Sequence, residues 1–377
     1  MKRSSPSPFR RGKPTFRRSR KLRLEALEPK LMLSAAPVDL GTLDFARIVL
    51  PTGAGDAWFQ FTAARTGVLS ALRTNGDPAA WNAGTVRLYQ ASGGSAVRVA
   101  EAAGRIDAAV TAGQAYYLQV VASAPGEVLY AADLLTTTAG GWSFFGTAGE
   151  DAFEYQDAAG QVTINGIPYS LPAAVGEVSF AGGEGRDQAV LQSSRGNELI
   201  SISPGGATLS LGGRTVTVNQ TESVSARVSA SAVGELIDSP GDDRVELRPN
   251  EGRIQGPGFD HELIGPGIIH AYSRNGGRDS ATLYDSPGDE QATLQPVQSV
   301  VRGEGFYNRA KLFPDVTVVS SSGGFDSALV LGSAENDYLS GDLSGIRMSV
   351  PGAELSVSGY DLTLAKSGGG ADVAEIE

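Results

Sequence analysis

Between residues 55 and 135 the chain alternates short apolar runs with clusters of turn residues. Ala57–Thr62, Gly67–Leu72, Thr85–Tyr89, Val97–Ala102, Ile106–Val110, Tyr116–Val121 and Val128–Leu134 read as strands. Thr52-Gly53-Ala54-Gly55-Asp56, Asn75-Gly76-Asp77-Pro78, Ser92-Gly93-Gly94-Ser95 and Ala124-Pro125-Gly126 read as the turns between them. No helical period intervenes. Seven strands in about a hundred residues predict an antiparallel β-sandwich over residues 38–138. Its expected core is Trp58, Phe59, Phe61, Leu88, Tyr117 and Leu118.

From residue 139 the pattern repeats. The blocks opening at Arg186-Asp187, Arg278-Asp279 and Phe325-Asp326 align without a gap over fourteen residues. Their leading aspartates are 92 and 47 residues apart, so one copy lies near Ala232 without its aspartate. Asp238-Ser239-Pro240-Gly241-Asp242 belongs to that copy and stands 47 residues before Asp285-Ser286-Pro287-Gly288-Asp289. Gly146–Asp151 and Gly368–Asp372 extend the series to about five copies of about 46 residues, the last cut short. Each copy carries strands such as 281–283, 291–294, 299–301 and 316–319, separated by Gly-, Asp-, Ser- and Asn-rich corners. One copy cannot bury its own strands, whereas stacked copies share a continuous core. The expected fold is therefore all-β: a sandwich, then a parallel β-helix or β-solenoid over 139–377 with two coils of about 23 residues per repeat. A row of small antiparallel modules ranks second. A propeller ranks third, because the Trp-Asp signature is absent.

Charge divides the chain differently. The net charge is −11, from 31 basic and 42 acidic residues. Residues 1–30 hold eleven of the bases and two of the acids, leaving a body with 20 bases and 40 acids. The basic head, rich in Ser and Pro, has too few large apolar residues to offset chain entropy, and disorder is expected over 1–37. An acidic body argues against a nucleic-acid partner. The head lacks the apolar core of an ordinary signal peptide, and no run approaches a membrane-spanning length.

Arg20 to Ala35, reading R-K-L-R-L-E-A-L-E-P-K-L-M-L-S-A, resembles the LEPR-XLL motif that opens many large extracellular proteins of planctomycete-type bacteria. Lys30 stands where Arg is usual, and Met32-Leu33 replaces Leu-Leu. The resemblance implies export or surface display and says nothing of catalysis. Asp56-Ala57-Trp58-Phe59-Gln60-Phe61, Val86-Arg87-Leu88-Tyr89 and Ala112-Gly113-Gln114-Ala115-Tyr116-Tyr117-Leu118 are similar to a bacterial pre-peptidase C-terminal-type domain, an accessory β-sandwich of secreted proteins. The pattern G-G-x-D-x-A-x-L followed by D-S-x-G-D/N-D/E resembles the Gly/Asp-rich repeats that follow the same N-terminal motif.

Candidate chemistry is sparse. Cysteine is absent, which excludes disulfides, thiol catalysis and Cys-ligated zinc. His261 and His270 have no metal-spaced partner and are read as lone exposed side chains. Gly182-Gly183-Glu184-Gly185-Arg186-Asp187-Gln188-Ala189-Val190 fits one copy of the nonapeptide that binds Ca²⁺ between tandem turns, but no second copy follows directly. Stacked corners would line up Asp187, Asp279, Asp289, Asp326 and Asp337 as candidate calcium ligands; the plainer role is turn formation. Asp242-Asp243 and Asp285/Asp289-Glu290 are carboxylate clusters inside the repeat, where a structural role is simpler than a catalytic one. The expectation is a non-catalytic, exported surface or extracellular protein acting as a spacer or interaction surface toward cell-surface or matrix components. A Ca²⁺-dependent adhesive module and a carbohydrate-active enzyme on a β-helix are the alternatives.

Overall fold

A computed structural model describes residues 36–50 and 55–377; the segment carrying the LEPR-XLL-like motif lies outside them. The described residues form strands and no helix, so none contributes a helix long and apolar enough to cross a membrane.

All seven strands expected in the sandwich are present, each extended by one to three residues at one or both ends. Two more precede them. Val38–Leu43 pairs parallel with Gly55–Ala63, and Phe45–Val49 pairs antiparallel with Val128–Thr137. The first reads V-D-L-G-T-L and is mostly exposed, so it lacks a strong alternating signal. The core between the sheets holds Phe59, Phe61, Leu69, Leu88, Leu118 and Leu129, each worth about 1.5–3 kcal/mol when withdrawn from water. Tyr116 points into this core and Tyr117 away from it, as alternation along one strand requires. Trp58 is buried too, but on the outer face, against Tyr89 at 5.5 Å between ring centres.

The expected boundary at 138 lies in a tight turn. Val128–Thr137 pairs antiparallel with Gly141–Phe145, so one sheet of the sandwich continues into the repeat region.

Residues 139–377 form a β-solenoid of two facing sheets. Inward positions alternate with outward ones in almost every strand. Ala281, Leu283, Ala292, Leu294, Val316, Val318, Ala328 and Val330 are all inward and almost wholly buried. Aromatics fill the first coil, where Phe153 stacks on Phe180 with ring centres 4.7 Å apart. The coil length differs from expectation. Parallel partners are Gln291 and Ser327, Ser280 and Asp315, and Ile268 and Tyr307, so the chain returns to the same sheet after 35–39 residues and not after about 23.

The 46-residue repeat is a different unit. Gln291–Gln295, Gln298–Gly303 and Phe306–Lys311 form an antiparallel meander in one sheet. Asp315–Val319 crosses to the facing sheet, and Ser327–Leu331 crosses back. The next repeat opens with Tyr338–Asp342 in the facing sheet. Each repeat has five strands, an odd number, so successive repeats build their meanders on opposite sheets. Short antiparallel meanders are thus inserted into a parallel solenoid, and they share its two continuous sheets instead of forming the row of separate modules ranked second from sequence.

Corner glycines let coils approach closely. Gly324 has φ of +92°, and a Cβ there would lie 1.7 Å from the Gly288 carbonyl oxygen of the preceding coil. Gly277 repeats this against Gly241, at 2.0 Å. The second glycine of the G-G-x-D pattern is therefore both a left-handed turn residue and a contact that excludes any side chain.

Candidate functional site: carboxylates at the coil corners

The residue just before a strand faces inward at the corner, and in this repeat it is usually an acid. The backbone N–H of Asp151 donates to Asp187 Oδ1 at 2.9 Å, that of Asp243 to Asp279 Oδ1 at 2.8 Å, and that of Glu290 to Asp326 Oδ1 at 2.7 Å. Asp337 donates likewise to Asp372 Oδ1 at 2.9 Å. Two columns have a third rung: Asp187 N–H to Glu222 Oε2 at 2.7 Å, and Asp326 N–H to Asp361 Oδ2 at 2.8 Å. Each acid thus satisfies a corner amide of the neighbouring coil that would otherwise be buried without a partner.

The upper acid of a pair is clamped within its own turn. Ser286 gives its backbone N–H and its hydroxyl to the Glu290 carboxylate, at 2.9 and 2.5 Å, and receives the Gly288 N–H on its own Oγ. Ser239 and Asp243, and Ser333 and Asp337, make the same turn. The lower acid takes a serine hydroxyl on its second oxygen, Ser273 to Asp279 and Ser320 to Asp326, both at 2.6 Å. At Asp187 the equivalent position is Gly182, and Asp187 Oδ2 is buried without a hydrogen-bond partner.

Burial pushes the Asp187 carboxyl above its usual range, opposed by the Asp151 amide and reinforced by the charges of Asp151, Glu222 and Glu150. Burial does the same at Asp279, opposed by the Ser273 hydroxyl and reinforced by Asp243 and Asp238. Glu198 differs, because Ala232 stands beneath it and brings no charge. Burial there is outweighed by the Ser229 and Ser193 hydroxyls and corner amides, which hold the carboxyl low.

Of the residues singled out from sequence, Asp187, Asp279, Asp326 and Asp337 are buried in these corners. Asp289 is exposed, and its Oδ1 accepts the Phe325 N–H at 2.8 Å. The five do not form one ladder, since corners alternate between the two edges of the solenoid. The structure instead brings together two triads, Asp238, Asp243 and Asp279 at one edge, and Asp285, Glu290 and Asp326 at the other. In each, one carboxylate oxygen per residue lies within 4.8 Å of the others. Sequence reasoning noted Asp243, Asp285 and Glu290 within carboxylate clusters but did not join them, with Asp238, to Asp279 and Asp326. The signal was the acid at both ends of D-S-P-G-D-D/E, with the last acid adjoining a strand.

The histidines correct the sequence reading. His261 is completely buried: its Nδ1 accepts the Val224 N–H at 3.0 Å and its Nε2 donates to the Pro204 carbonyl at 3.3 Å. Burial lowers its pKa. His270 is half-buried on the outer face, edge-on to Tyr307.

No family model and no curated protein matches the chain. What the fold defines is a class, the two-sheeted β-solenoids with antiparallel insertions, and that class alone fixes no function.

Proposed function

We propose that this protein is a non-catalytic, exported surface or extracellular scaffold. In this reading the basic head serves export, and the solenoid holds its ends apart or offers a repeated surface to cell-surface or matrix components. One observation carries the non-catalytic part. The acids that could do chemistry recur with the repeat, and each accepts backbone N–H groups, of its own turn at Asp243 and Glu290 and of the adjacent coil at Asp279 and Asp326. A glycosidase would need two unrepeated carboxylates across a groove, about 5–9.5 Å apart. The acidic body also suits solubility outside a cell better than contact with nucleic acid.

The test is fractionation of cells expressing the tagged full chain beside a variant lacking residues 1–37. The full chain is expected outside the cytoplasmic membrane and the shortened one inside. Full-length protein retained in the cytoplasm overturns the reading.

A further inference from the structure

The two triads are successive copies, 47 residues apart at each member, yet their surroundings differ. In the first, Asp238 Oδ2 accepts the N–H groups of Arg274 and Asn275, and Asp238 Oδ1 accepts the Asn275 side-chain amide at 3.0 Å. Every oxygen of that aspartate is occupied. In the second, Asp285 Oδ2 accepts the N–H groups of Ser321 and Ser322 at 2.8 and 2.6 Å. Ser322 stands where Asn275 stood and has no amide to offer. Asp285 is 4% exposed, and its Oδ1 is buried with no hydrogen-bond partner.

A second change accompanies the first. Phe313 of the earlier copy becomes Tyr360 in the later one. The Tyr360 hydroxyl is also buried and has no hydrogen-bond partner. Tyr360 adjoins Asp361, whose Oδ2 accepts the Asp326 N–H at 2.8 Å, so the phenol belongs to the same corner as the triad. No Lys or Arg forms an ion pair with the three acids among the described residues. Three buried carboxylates this close repel one another unless a proton or a cation intervenes.

We propose that Asp285, Glu290 and Asp326, with the Tyr360 hydroxyl beside them, form a site for Ca²⁺. A hard divalent cation takes oxygen ligands at about 2.3–2.6 Å, so oxygens up to about 5 Å apart can share one ion. Ligands drawn from separate corners of two coils suit the irregular shell of Ca²⁺ better than the strict octahedron of Mg²⁺. The Asp238 triad, closed by Asn275 and with Phe313 at the position of Tyr360, is the built-in control. The inference rests on the corner geometry alone and is independent of export.

The full chain is stripped with a chelator and titrated with Ca²⁺, followed by thermal unfolding, and separately with Tb³⁺, followed by tyrosine-sensitised luminescence. The wild type is expected to gain about 2–4 °C in Tm at millimolar Ca²⁺ and to show terbium emission that Ca²⁺ displaces. Asp285→Asn, which keeps an oxygen for the Ser321 and Ser322 amides and so folds, loses both responses. Asp238→Asn keeps both. Tyr360→Phe keeps the Tm gain in reduced form and loses most of the sensitised emission. A wild type with neither response overturns the site, as does either response persisting undiminished in Asp285→Asn.

Discussion

The backbone N–H of Asp151 donates to the carboxylate of Asp187, 36 residues further on and one coil away. This bond joins coils at a corner, where the sheet ladders have ended. Asp187→Ala removes the acceptor and leaves a buried N–H unpaired, at a cost of about 1–3 kcal/mol. Asp187→Asn keeps an oxygen for that N–H and removes a charge from a crowded site, so its stability equals or exceeds that of the wild type near neutral pH. The pH dependence follows from the raised folded pKa. The protonated carboxyl stabilises the fold below the unfolded value of 3.8, and that contribution is lost as pH rises through the folded value. Denaturant unfolding across this range compares the three proteins, and the asparagine variant lacks this component.

His261 makes the opposite prediction. Its folded pKa lies below the unfolded value of 6.5, because burial disfavours the imidazolium and Nδ1 already faces an N–H donor. The stability tied to neutral His261 is fully present above that value and is lost as pH falls toward the folded one. Asn308 holds the equivalent place in the next repeat and donates to the Arg248 carbonyl at 2.7 Å. His261→Asn therefore retains a polar partner for the Pro204 carbonyl and loses the acid sensitivity. Tm measured at about pH 7.5 and about pH 5.5 falls more between the two for the wild type than for the variant.

Gly323 and Gly324 separate backbone strain from close approach. Both have positive φ, but a Cβ on Gly323 meets nothing within 4 Å. Gly323→Ala costs about 1–3 kcal/mol through its backbone conformation alone. Gly324→Ala adds a clash with the Gly288 carbonyl and costs more. Equal losses in denaturant unfolding would contradict the close coil contact.

In the sandwich, Arg73 and Glu127 form a buried ion pair at 2.6 Å, and the guanidinium also donates to the Val121 and Ala122 carbonyls. Arg73→Ala leaves a buried carboxylate without its cation and costs about 3–5 kcal/mol, read as a lowered Tm. Removing both partners in Arg73→Met/Glu127→Leu recovers most of that loss.

Much of this architecture is written locally. Phe59, Leu88 and Leu118 sit in short apolar runs bounded by turn residues, which declare their strands, and the recurring G-G-x-D declares the repeat. The coil length was hidden because sequence similarity aligns equivalent strands of successive repeats, whereas hydrogen bonding pairs non-equivalent ones, such as Gln291 with Ser327. The third meander strand, Phe306–Lys311, carries Tyr307, Arg309 and Lys311 on its outer face and gives a weak apolar signal. His261 was misread because composition outweighed phase. It lies between Phe259 and Leu263 at two-residue spacing, which is the inward set. Asp289 was preferred to Asp285 and Glu290 for the same reason, since the acid adjoining the strand is the one that turns in.

The five-strand repeat makes copy number a setting of direction as well as of length. Removing one repeat would turn everything beyond it by half a revolution about the long axis. Removing two would restore its heading and shorten the rod by five strand spacings, about 24 Å. A ligand that reads the Asp285 corner must therefore approach from the side opposite one that reads the Asp238 corner, and identical partners on neighbouring repeats would be held out of each other's way.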